Sequence, residues 1–510
     1  MSRSRRRAAA GIGLAAAGLL LAPSSTAAHA VGGTFQLPVP LWLYLAGAAV
    51  AVAASFVVTA LVSRADGGGR ANAGTDLSLG LATIGRWLLR ILGLAWWYGA
   101  IAVGYLIGDI SPLPAVLFWI GIWVGLPIIA VLVGNPWPSF SPFRTTHAAL
   151  DALAHRLGAS RGLDAGLPYP AGLGRWPAVA LLAVGLWAEL VLPGSERAGT
   201  VATLMLGFTV LTLAGTAAFG QVAWLRNGEP FEVLLGWFGR VGPIGRRAVE
   251  AALCDGCGAG CDPTRCVDCP ECAVAADDRE RRPILRAPFT GLVDVGRPGL
   301  SDAAFIVLAL AGVTFDGMRE TAFGATLVGA IQPVAIELFG TTGTAFVVTD
   351  TVVFATVIAA FAIGFGLITA AAYRLADADR RGSFGELAGR SAATLLPIAG
   401  GYLIAHYLTL VIQGAVWLPS LLADPLMGLA PVLDWIPTAL VWYVSVVAIV
   451  GGHVAGIVLA HRLALRDAPR HAVVAGLPMV ALMIGYTVLS LWIIAQPIVV
   501  EPGVAPAAFR

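Results

Sequence analysis

The chain has little charge and no lysine. Only 12% of its 510 residues are charged, all 32 basic residues are arginine, and 58% of the residues are hydrophobic. A mean hydropathy of +0.81 lies far outside the range of water-soluble proteins. The composition therefore excludes a soluble globular protein and predicts a lipid bilayer as the main partner. The exclusive use of arginine is attributed to a GC-rich genome rather than to chemistry.

Familiar catalytic and nucleotide-binding motifs are also missing. The sequence has no Walker-type glycine loop, no G-x-S-x-G nucleophile elbow, no H-E-x-x-H and no C-x-x-C-H haem attachment motif. An ATP-driven pump or a zincin on this chain alone is therefore not expected. No nucleic-acid partner is expected either.

Residues 1–30 have the pattern of a secretory signal peptide. Four arginines precede an apolar stretch, 8–22, that is too short to span a bilayer, and Ala28-His29-Ala30 matches a small-x-small cleavage site. Cleavage after Ala30, or alternatively after Ala28, leaves the mature N-terminus outside the cytoplasm.

Ten apolar stretches follow the signal, and they predict an all-α, polytopic bundle of about ten spans, since about 20 apolar residues cross the hydrocarbon layer. Spans 1–5 fall within 31–224, spans 6–10 within 302–496, and 497–510 forms an outside tail. Two further apolar connections, 316–345 and 413–438, are predicted to be interfacial or re-entrant helices. The predicted spans are 41–63, 87–108, 115–134, 176–193, 199–224, 302–315, 346–373, 391–412, 439–461 and 472–496.

The arginines predict the orientation of these spans. With the mature N-terminus outside, the inside loops hold 24 arginines, whereas the outside segments hold Arg197, Arg319 and Arg510. This distribution follows the positive-inside rule and predicts a multi-pass protein of the inner, or cytoplasmic, membrane.

All six cysteines lie in the long inside loop, 225–301, within a Cys-rich segment, 254–272. Their C-x2-C-x3-C-x4-C-x2-C-x2-C spacing is typical of a metal knuckle, and four thiolates suffice for a structural zinc ion. An iron–sulfur cluster is the alternative, whereas disulfides are disfavoured in a reducing compartment. We expect this loop to act as a staple or as a docking point for a cytoplasmic or membrane protein. The cysteines are Cys254, Cys257, Cys261, Cys266, Cys269 and Cys272.

Ionisable side chains inside the predicted spans mark a candidate functional site, because charge is costly in the membrane. His406 and His453 lie in spans eight and nine, at about 10 Å and about 18 Å below the outer boundary. Glu189, Asp316 and Asp350 lie in the outer half, where with His406 they are predicted to line an outward-facing cavity. Carboxylate and imidazole groups suit a divalent metal, a proton relay or acid–base chemistry. The alternative is that each side chain only bonds a neighbouring helix, and the Gly452-x3-Gly456 pair is interpreted as a close helix contact.

Several segments between about 36 and 496 resemble a family of prokaryotic polytopic membrane proteins, some of which carry the label fenitrothion hydrolase. That label implies a membrane-bound activity on organophosphate triesters, although no catalytic residue can be carried over. The cysteine-rich insertion departs from the family's pattern. The segments are Leu167-Pro168-Tyr169-Pro170, Leu173-Gly174-Arg175-Trp176-Pro177, Trp187-Ala188-Glu189, Phe315-Asp316-Gly317, Ala405-His406-Tyr407, Gln413-Gly414, Asp424-Pro425 and Gly452-His453-Val454-Ala455-Gly456 with His461.

Three functions follow from these patterns, and they leave open whether the protein is an enzyme. The first, which we rank highest, is handling of a small solute or metal ion through the outward-facing cavity; it predicts that Glu189 and His406 face the same space. The second is a metal-dependent hydrolase or hydrolase subunit, with His406 and the acids as ligands. The third is a b-type cytochrome with haem between His406 and His453, which their different depths disfavour.

Overall fold

The computed structural model describes residues 35–36, 38–62, 75–76, 79–248, 281–293, 295–496 and 499–500. The predicted signal peptide and the cysteine-rich segment lie outside these residues. The helices of the first half are α1 Leu41–Val62, α2 Leu79–Leu106, α3 Leu113–Ala115, α4 Leu126–Leu132, α5 Trp137–Phe140, α6 Pro142–Arg156, α7 Trp176–Leu190, α8 Ala198–Phe219, α9 Gln221–Asn227 and α10 Pro230–Phe238. Those of the second half are α11 Leu300–Arg319, α12 Ala322–Phe339, α13 Gly343–Leu375, α14 Phe384–Ala393, α15 Leu396–Ala423, α16 Thr438–Asp467 and α17 Ala472–Ala495.

The protein is an all-α, polytopic helix bundle, as the hydropathy predicts. Within the described ranges, ten helical stretches are long and apolar enough to cross a membrane. The described residues also form short strands. β1 Phe35–Gln36 pairs in parallel with β5 Val499–Val500. In a second, antiparallel sheet, β4 Arg281–Leu285 lies between β2 Thr75–Asp76 and β3 Ile244–Ala248.

The sixth span is longer than its apolar run. The run predicts 302–315, but the helix is α11, with 20 residues, and it continues through Asp316 to Arg319. A hydropathy window ends at the first buried acid, whereas the helix tolerates Asp316 because neighbouring side chains bond its carboxylate. The charged end of this span is therefore part of the membrane helix.

α7 has only 15 residues but crosses the same thickness as α11. At its start, Arg175 bonds Asp302 near the beginning of α11, and at its end, the Leu190 carbonyl accepts a hydrogen bond from Arg319. The two helices therefore run parallel from one face of the bundle to the other. We call the first face, which holds Arg175 and Asp302, the arginine-rich face, and the other, where α11 ends, the opposite face.

α12 lies on the opposite face, although it is long enough to span. It begins three residues after α11 ends, and α13 begins four residues after α12 ends. α11 and α13 are antiparallel, since Phe315 contacts Phe354 and α14, which follows α13, packs on the start of α11. Both ends of α12 are therefore at one face, as the interfacial-helix interpretation of 316–345 requires.

The third span contains ten residues of π-helix, Val116–Gly125, between α3 and α4. The N–H of Leu126 bonds the carbonyl of Gly121, five residues earlier. Hydropathy does not distinguish this winding from an α-helix, so the sequence predicts the span at 115–134, which is confirmed, but not its winding. π-Helical segments are often found at functional sites. In this one, Trp123 bonds Glu189 of α7, and Trp119 bonds the Ser195 carbonyl oxygen in the loop that follows α7.

Candidate functional site

The centre of the site is the carboxylate of Asp316, near the end of α11. His406 Nε2 lies 3.0 Å from Asp316 Oδ2, and the Tyr407 hydroxyl donates to the same oxygen at 2.7 Å. The His406 side chain is 2% exposed, whereas that of Asp316 is 21% exposed. A carboxylate with two donors on one oxygen is stabilised without full solvation, which explains how α11 keeps an acid inside the membrane.

A glycine next to this acid lets α15 approach α11 closely. A Cβ atom at Gly317 would lie 2.5 Å from the Tyr402 hydroxyl, 2.7 Å from Ile493 Cγ2 and 3.3 Å from His406 Cε1. Any larger residue would push α15 away and lengthen the bond between Asp316 and His406. The Asp-Gly pair of the sequence therefore fixes the geometry of the site.

Glu189 faces the same site from α7. Its Oε2 accepts a hydrogen bond from Trp123 Nε1 at 2.5 Å. Glu189, Trp123, Tyr402 and Tyr407 line one narrow cavity of about 40 Å³, which is room for a few water molecules. Tyr407 connects the two acids, since its ring lines the cavity and its hydroxyl bonds Asp316. Asp316 and His406 are not among the residues that line this cavity, so the prediction that Glu189 and His406 face the same space stays a prediction.

Asp350 lies apart from this cluster. It is on α13, and the charge that acts on it is that of Arg319, at the end of α11. The neighbouring Thr351 accepts a hydrogen bond from Trp187 Nε1 at 3.0 Å. Like Asp316 and His406, Asp350 is not among the residues that line the cavity. Glu189, Asp316 and His406 are the predicted residues that the fold brings together.

His453 is deeper and belongs to a different contact. Its Nδ1 lies 2.8 Å from the Ile449 carbonyl oxygen, and its side chain is fully buried. The flanking glycines pack against the start of α15. A Cβ at Gly452 would lie 2.4 Å from the Pro397 carbonyl oxygen, and a Cβ at Gly456 would lie 2.9 Å from the Thr394 carbonyl oxygen, just before α15 begins. The close helix contact predicted for this glycine pair is confirmed.

Two tyrosine rings separate the two histidines. Tyr402 stacks on His406 at 5.7 Å between ring centroids, and Tyr486 lies 6.4 Å from Tyr402 and 5.9 Å from His453. The Tyr486 hydroxyl is hydrogen-bonded to Thr314 at 2.6 Å. These rings occupy the space that a haem ligated by both imidazoles would need. The residues present therefore do not fit the cytochrome interpretation.

Metal ligands are scarce in the part of the chain that the structure describes. There, no group of three or more His, Cys, Asp or Glu side chains is arranged to hold a metal ion. Glu189, Asp316 and His406 are neighbours but do not surround one point. The six cysteines lie outside the described residues, so the zinc knuckle stays a prediction.

Sequence reasoning missed the aromatic residues of the site. Tyr407 has a local signal, because it follows His406 and both side chains reach Asp316 from one helix turn. Trp123 has none, since its bond to Glu189 depends on how the π-helix packs on α7. Tyr402 is one turn before His406, a spacing that does predict a shared helix face.

Comparisons with protein-family models, with curated proteins and with solved structures find no match to this chain. The fenitrothion hydrolase label therefore remains an expectation from the sequence. The fold and the site are therefore described from the structure alone: an integral membrane helix bundle with a bonded Asp–His–Tyr cluster near a narrow cavity.

Proposed function

We propose that the protein moves a small solute or ion across the membrane, and that the Asp316–His406 pair couples this movement to the binding and release of a proton. The observation that carries the proposal is the Asp316 carboxylate, bonded by His406 and Tyr407 within the membrane, with Glu189 across a cavity. Ionisable groups in such positions typically line ion pathways and proton relays. Histidine is a common proton shuttle in proteins.

The site attracts positive charge. Glu189 is the carboxylate that lines the cavity, Tyr407 of the same lining bonds Asp316, and the other walls are mostly apolar, with Leu182, Leu186 and Val313 among them. Such walls exclude water and strengthen the field of the carboxylates. We therefore expect the coupled species to be a proton and the transported species to be a cation or a neutral solute. A metal ion would require Glu189 and Asp316 to move closer together.

A second cavity supports a path through the bundle. It lies at the arginine-rich face, and α10 contributes to both cavities: Leu234 and Phe238 line the first, and Val233 and Trp237 line the second. A single short helix thus separates a space near the opposite face from a space at the arginine-rich face. Movement of α10 would connect them, which is the arrangement that alternating access requires.

The orientation follows from the arginines. We propose that the arginine-rich face is cytoplasmic and that the Asp316 site opens to the outside, in an inner membrane, with the mature N-terminus outside. Protons are then taken up at the outer side, where the electrochemical gradient supplies them.

The test is proton flux into sealed vesicles of the purified full chain. Proteoliposomes with an entrapped pH dye are given outside pulses of Na⁺, Zn²⁺ or tetramethylammonium under a fixed membrane potential. We expect at least one cation to change the lumenal pH. Asp316→Asn and His406→Ala should lower this response about tenfold or more, since each removes a partner of the coupling pair. Glu337→Gln is the matched control, because Glu337 is an exposed acid on α12.

Two results would contradict the proposal. One is an unchanged response in Asp316→Asn. The other is the absence of any cation-dependent pH change in wild-type vesicles that are shown to be sealed and to contain folded protein.

A further inference from the structure

The cavity beside α7 contains a single charged side chain. Among the described residues that line it, Glu189 is the only acid, and no basic side chain is present. One oxygen of the Glu189 carboxylate accepts the Trp123 indole N–H, whereas the other, Oε1, makes no hydrogen bond to a described residue. Glu189 is only partly buried, so a ligand in the cavity can reach its carboxylate. In an apolar enclosure, such a carboxylate requires a proton or a cation as its partner.

The charges around the cavity favour a cation. Arg319 is the arginine whose charge acts on Glu189, Asp316 and Asp350 alike. It does not line the cavity, and its guanidinium bonds the Leu190 carbonyl. The charge of Asp316 acts on Glu189 more strongly than that of Arg319 does. Arg319 and a protonated His406 would together offset two of these three acids, so the cavity lies in a negative field that attracts a cation.

Aromatic side chains contribute to the walls of the same cavity. They come from three separate segments of the chain and are Trp123, Phe238, Tyr402 and Tyr407. Gly185 lets the Trp123 ring lie against α7, since a Cβ atom there would lie 2.6 Å from Cη2 of the indole. The faces of aromatic rings attract cations, and several such rings around one space recognise methylated ammonium ions.

A metal ion fits this cavity less well than an organic cation. Hard divalent cations take six or more oxygen ligands, whereas most of the lining is apolar. A methylated ammonium ion carries its charge on an apolar surface, so it requires one counter-charge and apolar walls instead of a shell of oxygens. The cavity has room for about three water molecules, each of which occupies about 30 Å³ in the liquid. That space suits an ammonium ion with methyl groups but not one with longer chains.

We propose that this cavity binds a small methylated ammonium ion, with its charge beside Glu189 Oε1 and its methyl groups against the aromatic rings. This ion is then the cation that the protein moves, a step that rests on the proposed transport function. Tyr407 links the cavity to the proton pair, since its ring lines the cavity and its hydroxyl donates to Asp316.

Variants test the residues of the cavity. Glu189→Gln keeps an acceptor for the Trp123 indole but removes the charge, and it should weaken binding of the ion about tenfold or more. Glu196→Gln is the matched control, because Glu196 is an exposed acid in the loop after α7, and it should leave binding unchanged. Phe238→Leu keeps an apolar wall and is a milder variant if Glu189→Gln does not fold. It should weaken binding on the order of fivefold, the factor for about 1 kcal/mol from one cation–π contact.

The measurement is equilibrium binding of radiolabelled tetramethylammonium to the full chain purified in detergent, where no membrane gradient exists. Unlabelled tert-butanol has the same number of non-hydrogen atoms but no charge, and sodium chloride has charge but no methyl groups. We expect saturable binding that unlabelled trimethylammonium displaces and that neither control displaces at equal concentration. Absence of saturable binding, equal displacement by sodium chloride, or equal losses in Glu189→Gln and Glu196→Gln would overturn the assignment.

The vesicle experiment separates this binding site from transport. Absence of tetramethylammonium binding, together with a pH change caused by Na⁺ or Zn²⁺ in the vesicles, overturns the ammonium site and supports transport. Saturable binding without any cation-dependent pH change supports the ammonium site and contradicts transport.

Discussion

Gly317 should be the most sensitive glycine of the site, and Gly317→Ala tests the close approach of α11 and α15. The added methyl group would lie 2.5 Å from the Tyr402 hydroxyl and 2.7 Å from Ile493 Cγ2. Both distances are shorter than real Cβ contacts, so the buried Tyr402 and Ile493 side chains, or the helices that carry them, have to shift. Overpacking of this kind costs about 1–3 kcal/mol. Alanine is favoured over glycine in a helix by about 1 kcal/mol, so the net effect is a loss of up to about 2 kcal/mol.

The matched control is Gly364→Ala on α13. A Cβ atom at Gly364 meets nothing within 4 Å, so this variant should show only the helix gain of up to about 1 kcal/mol. The assay is unfolding of both purified variants in the same detergent, followed by tryptophan fluorescence against temperature and denaturant. We expect the two variants to change stability in opposite directions. Equal stabilisation by both would refute the close helix approach and, with it, the geometry of the Asp316–His406 bond.

Two further predictions concern buried charges at the arginine-rich face. The pKa of Glu229 is raised from an ordinary 4.5 to about 8, first by burial and then by the charge of Glu232, although three N–H groups donate to its carboxylate. As the pH rises, the unfolded chain therefore loses this proton before the folded chain does. Stability should therefore fall between pH 4.5 and 8, by about 5 kcal/mol at most, and Glu229→Gln should flatten that fall in denaturant titrations. Asp467 and Arg390 form a buried pair at 3.1 Å, and Asp467→Asn should cost about 3–5 kcal/mol because it leaves an unpaired buried charge. In a double-mutant cycle, Arg390→Met should recover much of that loss, and strictly additive losses would contradict the pairing.

The spans could be predicted from the sequence because each depends on a local run of apolar residues. The sequence does not predict those features that depend on contacts between residues distant in the chain. α11 extends past its apolar run, since His406 and Tyr407 satisfy Asp316 inside the membrane. The π-helical winding of 116–125 has the same hydropathy as an α-helix and leaves no mark in the composition.

The site could be predicted in part. Asp316, His406 and Glu189 are recognisable because an ionisable group in a span needs a partner, and their depths agree. Asp350 has a similar depth, but the structure shows it near Arg319 rather than bonded to His406. Trp123 and Tyr402 carry no charge to mark them. The cysteine segment, with its predicted zinc, lies outside the described residues and stays a prediction.

The central claim is that Asp316 exchanges protons as one member of a coupled pair. Infrared difference spectra of hydrated protein films between acidic and alkaline buffer report carboxyl groups that gain or lose a proton. We predict a titrating carboxyl band that disappears in Asp316→Asn, shifts in His406→Ala and is unchanged in Glu337→Gln. A wild-type spectrum identical to that of Asp316→Asn would show that Asp316 does not exchange its proton, and would contradict the account.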